Sequence, residues 1–154
     1  MVAAILIRLL PYVQSVIPLI SRVHSHEALP QTTRSKLRGL DLEDLLHTTA
    51  AYVKEIKCDQ PQLQPSVLVA LESVERQLMM VNEQLETLHE ELDAQTRWSA
   101  WFWSFVVSPR DTERLVDELT INSSILRHRL DLLFGIVRAS PSPQPLKTST
   151  ATIL

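Results

Sequence analysis

Residues 66–97 read SVLVALESVERQLMMVNEQLETLHEELDAQTR, and their periodicity decides the fold class. Val67, Leu71, Val74, Leu78, Val81, Leu85, Leu88 and Leu92 recur in alternating steps of four and three. That spacing lays one apolar stripe along one side of a helix, and both its period and its length exclude a strand. The other positions carry Glu72, Glu75, Glu83, Glu86, Glu90, Glu91 and Asp93, which read as a solvated exterior. A single stripe on so long a helix has to be covered by other helices.

The segments on either side supply them. Downstream, Ser108, Pro109 and Asp111 form a helix start, with Asp111 at the capping-box position. Leu115, Leu119, Leu126, Leu130, Leu133 and Val137 then recur at helical spacing, interrupted by Asn122. This helix is expected to stop near Arg138, because ASPSPQP follows and cannot continue it. Upstream, Leu42, Leu45, Thr49, Tyr52 and Ile56 predict one helix from about Thr32 to Cys58, with an irregularity at Gly39. DQPQLQP is the linker after it.

The first block, MVAAILIRLLPYVQSVIPLIS, is apolar almost all round. Ile5, Leu9, Tyr12, Val16, Leu19 and Val23 make one stripe; Leu6, Leu10, Val13, Ile17 and Ile20 make a second. Pro11 and Pro18 interrupt it, seven residues apart and so near one face. Such a helix belongs either at the centre of a bundle or against lipid, and the residues leave both readings open. Arg8 restricts the uncharged run to residues 9–21, short of the ~20 apolar residues of a spanning helix. Neither the charge ahead of it nor the cleavage site of a signal peptide is clear, so the block reads as the first helix of a soluble protein.

The expected fold is therefore all-α. Residues 1–138 form an up-down four-helix bundle with a short aromatic connecting helix between the third and fourth helices. Residues 139–154, rich in Pro, Ser and Thr, form a disordered tail. At 154 residues one domain is expected, and two glycines argue against a β-rich fold or a phosphate loop. A formal charge of −3 gives no electrostatic case for nucleic acid. The lone Cys58 excludes an internal disulfide and fits a reducing, cytoplasmic setting, peripheral to a membrane if the first helix touches one.

No catalytic constellation is present in the sequence: there is no G-x-S-x-G, P-loop, H-E-x-x-H or paired-carboxylate motif. The chain reads as a non-enzyme without cofactor. His24 and His26, two apart with no Cys or carboxylate cluster beside them in sequence, read as surface histidines rather than metal ligands. Asn122-Ser123-Ser124 matches a glycosylation acceptor, but its mid-helix position counts against use.

Two features point toward contacts with other molecules. The stretch RWSAWFWSFVVSPRD, residues 97–111, holds all three tryptophans and two of the three phenylalanines. If helical, it places Trp98, Trp101, Phe102 and Phe105 on one face as a plug closing the bundle end, while Trp103 lies apart as an interfacial contact. Arg34, Lys36 and Arg38 put three cations within five residues, able to meet anionic headgroups at roughly 1 kcal/mol each. An ordinary exposed helix face explains them as well. Arg8 joins these as a lipid- or partner-contact candidate, while Leu71, Leu78, Leu85 and Leu92 are core candidates.

An apolar first helix, a long second, a heptad-rich third, the aromatic connector Trp98 to Val107, the cap Ser108 to Asp111 and the leucines of SFVVSPRDTERLVDELTINSSILRHRLDLL form one series. In that order they resemble the N-terminal four-helix bundle of MLKL-type proteins and the related HeLo-like and plant helper-NLR death domains. The resemblance covers roughly residues 5–138. It implies membrane-directed programmed cell death: a bundle restrained by a regulatory domain, which oligomerises, binds anionic lipid and permeabilises the membrane. A different class of function remains open: a signalling adaptor whose third-helix heptads form a coiled coil with a helical partner or a second copy.

Overall fold

A computed structural model describes residues 2–56, 64–97 and 109–139, and among these every regular element is a helix. Helix α1 spans Val2–Leu6 and runs through a 3-10 turn, Ile7–Leu9, into α2, Leu10–His24. Helices α3, Gln31–Gly39, and α4, Leu42–Glu55, follow. The long helices are α5, Pro65–Arg97, and α6, Pro109–Ala139. An all-α bundle is what the periodicities require. Residues 98–108 and 140–154 lie outside the described residues, and with them the aromatic plug (Trp98, Trp101, Phe102, Phe105), Trp103 and the tail.

The stripes read along α5 and α6 are buried, while on α4 the core falls on Leu42, Leu46, Thr49 and Val53 rather than on Leu45, Tyr52 and Ile56. All eight stripe residues of α5 are buried, Leu71, Leu78, Leu85 and Leu92 among them. They meet both stripes of α1–α2 and the leucines of α6 in one continuous apolar cluster. Within the chain the heptad stripe of α5 is covered by its own neighbouring helices, so a coiled coil through it would have to displace them.

The helices alternate in direction, but their order round the bundle is not the order of the sequence. Helix α5 packs between α2 and α6, and α2 between α5 and α4. Arg8–Glu75, Ser15–Asn82 and His26–Asp93 each join residues 67 apart, so α1–α2 and α5 run parallel in constant register. Gln77–Asn122 and Gln95–Thr112 show α5 and α6 to be antiparallel. Arg127 reaches the Leu40 carbonyl and Arg138 the Tyr52 hydroxyl, offsets of 87 and 86 that set α6 parallel to α3–α4. Consecutive helices α4 and α5 thus sit across the ring from each other.

Two local expectations are corrected. The single helix from Thr32 to Cys58 is two helices, and the break falls after Gly39, at Leu40 and Asp41. Asp41 takes the left-handed conformation (φ 49°, ψ 31°), which Asp tolerates better than most side chains. The turn lets buried Thr33 and Leu37 of α3 and Leu42 and Leu46 of α4 all face the core. Pro11 falls in the first turn of α2, where a missing donor costs nothing, whereas Pro18 is accommodated inside that helix. Glu75, read from sequence as solvated, is buried beside the α5 stripe.

Candidate functional site

The rims of the two seams that α5 makes hold most of the chemistry. Along the α2–α5 seam, polar pairs close the rim. Arg8 Nη2 donates to Glu75 Oε2 at 3.2 Å, joining a half-exposed guanidinium to a carboxylate whose other oxygen, Oε1, is buried without a hydrogen-bond partner. Two helical turns on, Ser15 Oγ donates to Asn82 Oδ1 at 3.4 Å. Arg8, a contact candidate from sequence, is thus part of an internal tie.

At the far end, His26 in the α2–α3 turn meets His89 and Asp93, a pair spaced i, i+4 on α5. The Ala28 N–H donates to His26 Nδ1 at 3.1 Å, so the ring proton sits on Nε2 and is given to Asp93 Oδ1 at 2.8 Å. His89 Nδ1 lies 3.3 Å from Asp93 Oδ2, and the two imidazoles stack edge to face with centroids 5.6 Å apart. The hydrogen bond from His26 holds the Asp93 carboxyl below its usual range; desolvation opposes this, and the nearby His89, His26 and Arg97 charges add to it. An open cleft of about 340 Å³, lined by Arg22, Ser25, Glu27 and Thr96 with both rings, adjoins the cluster.

His26, His89 and Asp93 offer three donor atoms within 4.8 Å of one another, the count and kind a divalent transition metal takes. The tautomer decides against that use. A metal on Nε2 needs the lone pair there and the proton on Nδ1, where a ligating histidine normally finds an acceptor. Here Nδ1 faces the Ala28 donor. The arrangement fits a hydrogen-bonded clasp fastening the α2–α3 turn to α5. Sequence reading missed this cluster because its members lie more than sixty residues apart and only the α2–α5 register unites them; His89-x-x-x-Asp93 was its sole local trace.

The basic segment divides. Arg34 turns inward, donating through Nη2 to the carbonyls of His26 (2.9 Å) and Leu29 (3.4 Å), so it closes the same turn. Lys36 and Arg38 face solvent. His24, on the inner side of this segment, is half-buried; desolvation lowers its pKa, Glu43 opposes the shift, and Arg38 and Arg34 reinforce it.

Along the α5–α6 seam the rim is apolar instead. Below the surface, Gln77 Nε2 donates to both the carbonyl and Oδ1 of Asn122, at 3.0 Å each. Arg129 Nη1 reaches the Ser73 carbonyl at 3.0 Å. The register these bonds fix sets Val69 level with Leu132, and Met80 level with Ile121, with Ile125 a turn away. All five are exposed: Val69 67%, Leu132 55%, Met80 49%, Ile121 61% and Ile125 37%. On α5 the strip Val69, Arg76, Met80, Glu83, Thr87 steps by seven, four, three and four, a second heptad stripe on the side opposite the core.

Against this geometry stand the comparisons with known proteins: no family model matches the chain, and no curated protein or solved structure matches it.

Proposed function

We propose that the protein is a non-enzymatic helical interaction module whose working surface is the outer rim of the α5–α6 seam. The observation that carries this reading is a set of five exposed apolar side chains on two adjacent helices, Met80 with Ile121 and Ile125 at one level and Val69 with Leu132 eleven residues along. Single exposed apolar residues are ordinary, whereas contiguous apolar patches on a soluble surface mark contact sites. A photo-crosslinking residue at position 80, compared with one at exposed Thr48 on α4, across the bundle from α5, tests it in the cells that make the protein. Protein adducts are expected from position 80 and not from 48. Equal yields from both, or none from either, overturn it.

A second reading, membrane association of the MLKL or HeLo-like kind at the cytoplasmic face, is favoured by one observation. Once Arg8 is counted within the run, Ala3–His24 is by length and composition alone long and apolar enough to cross a membrane, with a mean hydropathy of 1.8 over its best window. In the bundle its outward side is Ala4, Ile7, Arg8, Pro11, Gln14, Ser15 and Pro18, largely small or polar. Lipid contact therefore requires α1–α2 to leave α5, with Lys36 and Arg38 as the cations first able to meet anionic headgroups. Vesicles containing anionic lipid, with and without residues 1–26 of the chain, test it. Binding that survives the truncation, or no binding by the full chain, counts against α1–α2 as the membrane element.

A further inference from the structure

We infer that the occupant of the α5–α6 face is a second copy of this chain, docked antiparallel about a two-fold axis that passes beside Met80. The inference rests on the interaction reading above and adds the identity and geometry of the partner.

The argument is one of self-complementarity. A two-fold interface must match itself, so a residue on one side of the axis meets, in the partner, the residue equally far on the other side. On the outward stripe of α5, Arg76 and Glu83 flank Met79 and Met80 at three residues on either side, and both face solvent. An antiparallel second copy centred there brings Arg76 against Glu83 of the partner subunit, and Glu83 against the partner's Arg76. The axis then falls midway between positions 79 and 80, so Met80 and its equivalent stand one residue's rise, about 1.5 Å, apart along the helices. The pairing is favourable in that orientation alone: a parallel copy in register sets Arg76 against arginine and Glu83 against glutamate.

Helix α6 contributes to the same contact. Ile121 and Ile125 stand level with Met80 and Arg76 and widen the apolar centre beyond one side chain. Apolar residues in the middle with opposite charges outside them is the usual anatomy of a protein interface. The other rim of α5 contrasts with it: Arg8, Ser15 and His26 already occupy the polar positions there within the chain. The face is narrow beside the roughly 800 Å² per partner of a stable standard interface, so the dimer is weak and reversible.

Sedimentation equilibrium of the full chain over a range of concentrations tests the inference with three variants. Arg76→Glu and Glu83→Arg are each expected to weaken self-association about tenfold, because each creates two like-charge contacts about the axis. Arg76→Glu and Glu83→Arg proteins mixed together are expected to associate at least as well as the unsubstituted chain, since in the mixed pair both contacts are again opposite in charge. The double variant Arg76→Glu/Glu83→Arg is expected to recover too. Association unchanged in the single variants, or not recovered in the mixture, overturns the two-fold arrangement. A chain that stays monomeric at every concentration overturns the second copy as occupant. Adducts to a different protein at position 80 in that case leave the interaction reading standing, whereas adducts absent from both tests remove both.

Discussion

The two seams of α5 are built from the same kind of core and finished in opposite ways. Toward α2, the rim is closed by side chains that need each other: Arg8 with Glu75, Ser15 with Asn82, His26 with Asp93. Toward α6, the polar bonds of Gln77 and Arg129 lie within the seam, and Val69, Met80, Ile121, Ile125 and Leu132 remain at its edge. The first rim is finished largely by its own hydrogen bonds, with Met79 left exposed between Glu75 and Asn82. A rim of aliphatic side chains gains free energy when another surface excludes water from it. The difference locates the candidate docking face on one side of α5 and the internal fastenings on the other.

The largest expected effect lies beneath both rims. Leu78 is fully buried at the centre, two positions from exposed Met80. Leu78→Ala is expected to cost about 2–5 kcal/mol, by lost transfer free energy and the cavity left behind. Met80→Ala is expected to change stability by no more than about 0.5 kcal/mol. Urea unfolding of the two variants breaks the inside–outside assignment of α5 if the costs come out alike.

Next is the Arg8–Glu75 tie. Removing the cation leaves a buried carboxylate with one oxygen already unpartnered, so Arg8→Ala is expected to destabilise by about 1–3 kcal/mol. Glu75→Gln added to Arg8→Ala is expected to return part of that, because the neutral amide costs less to keep from water. If the double variant is no more stable than Arg8→Ala, the penalty is lost packing of the arginine stem, and the polar finish of this rim is cosmetic.

The clasp at the end of the same rim has a pH signature. The Asp93 pKa is lowered in the folded chain, chiefly by the His26 hydrogen bond. A depressed carboxyl contributes stability that is fully present above its unfolded value, near 3.9, and is lost as pH falls through the lower folded value. Stability measured from about pH 5 downward is therefore expected to fall less steeply in Asp93→Asn than in the unsubstituted chain. Added Zn²⁺ is expected to leave the unfolding midpoint unchanged at neutral pH, since the Ala28 N–H holds the wrong tautomer for ligation. A clear upward shift, absent in His89→Ala, would show that the Ala28 bond yields to the metal.

What the sequence made legible follows the reach of each signal. The four helical blocks could be read because periodicity is local, and the leucines of α5 and α6 announce a buried side without reference to any partner. The α3–α4 break was harder. Gly39 drew attention as the flexible residue, yet the left-handed position is Asp41, fixed by the need to turn both Leu37 and Leu42 inward. Glu75 resembled its solvated neighbours in composition; its burial follows from an angle on the helix and from Arg8, sixty-seven residues away. The clasp and the outer apolar strip both depend on register between helices, which no single-helix pattern records. Val69, Met80, Ile121, Ile125 and Leu132 become a surface only when α5 and α6 lie antiparallel with Gln77 at Asn122.

The smallest expected effect on stability is also the one that bears most on function. Met80→Asp replaces an exposed side chain by a charged one at a position where solvent already reaches half of it, so folding is expected to change by less than about 0.5 kcal/mol. If the strip is a contact surface, the same substitution places a carboxylate at the centre of a dry interface, where an unpaired charge has no compensation. Association should then disappear while the unfolding midpoint stays put. Ser15→Asp on the α2–α5 rim is the matched control: a new carboxylate beside Asn82 is expected to leave association untouched, because that rim already faces water and its own partner. Should the two substitutions act alike on association, the contrast between the rims carries no functional meaning, however well each is explained as packing.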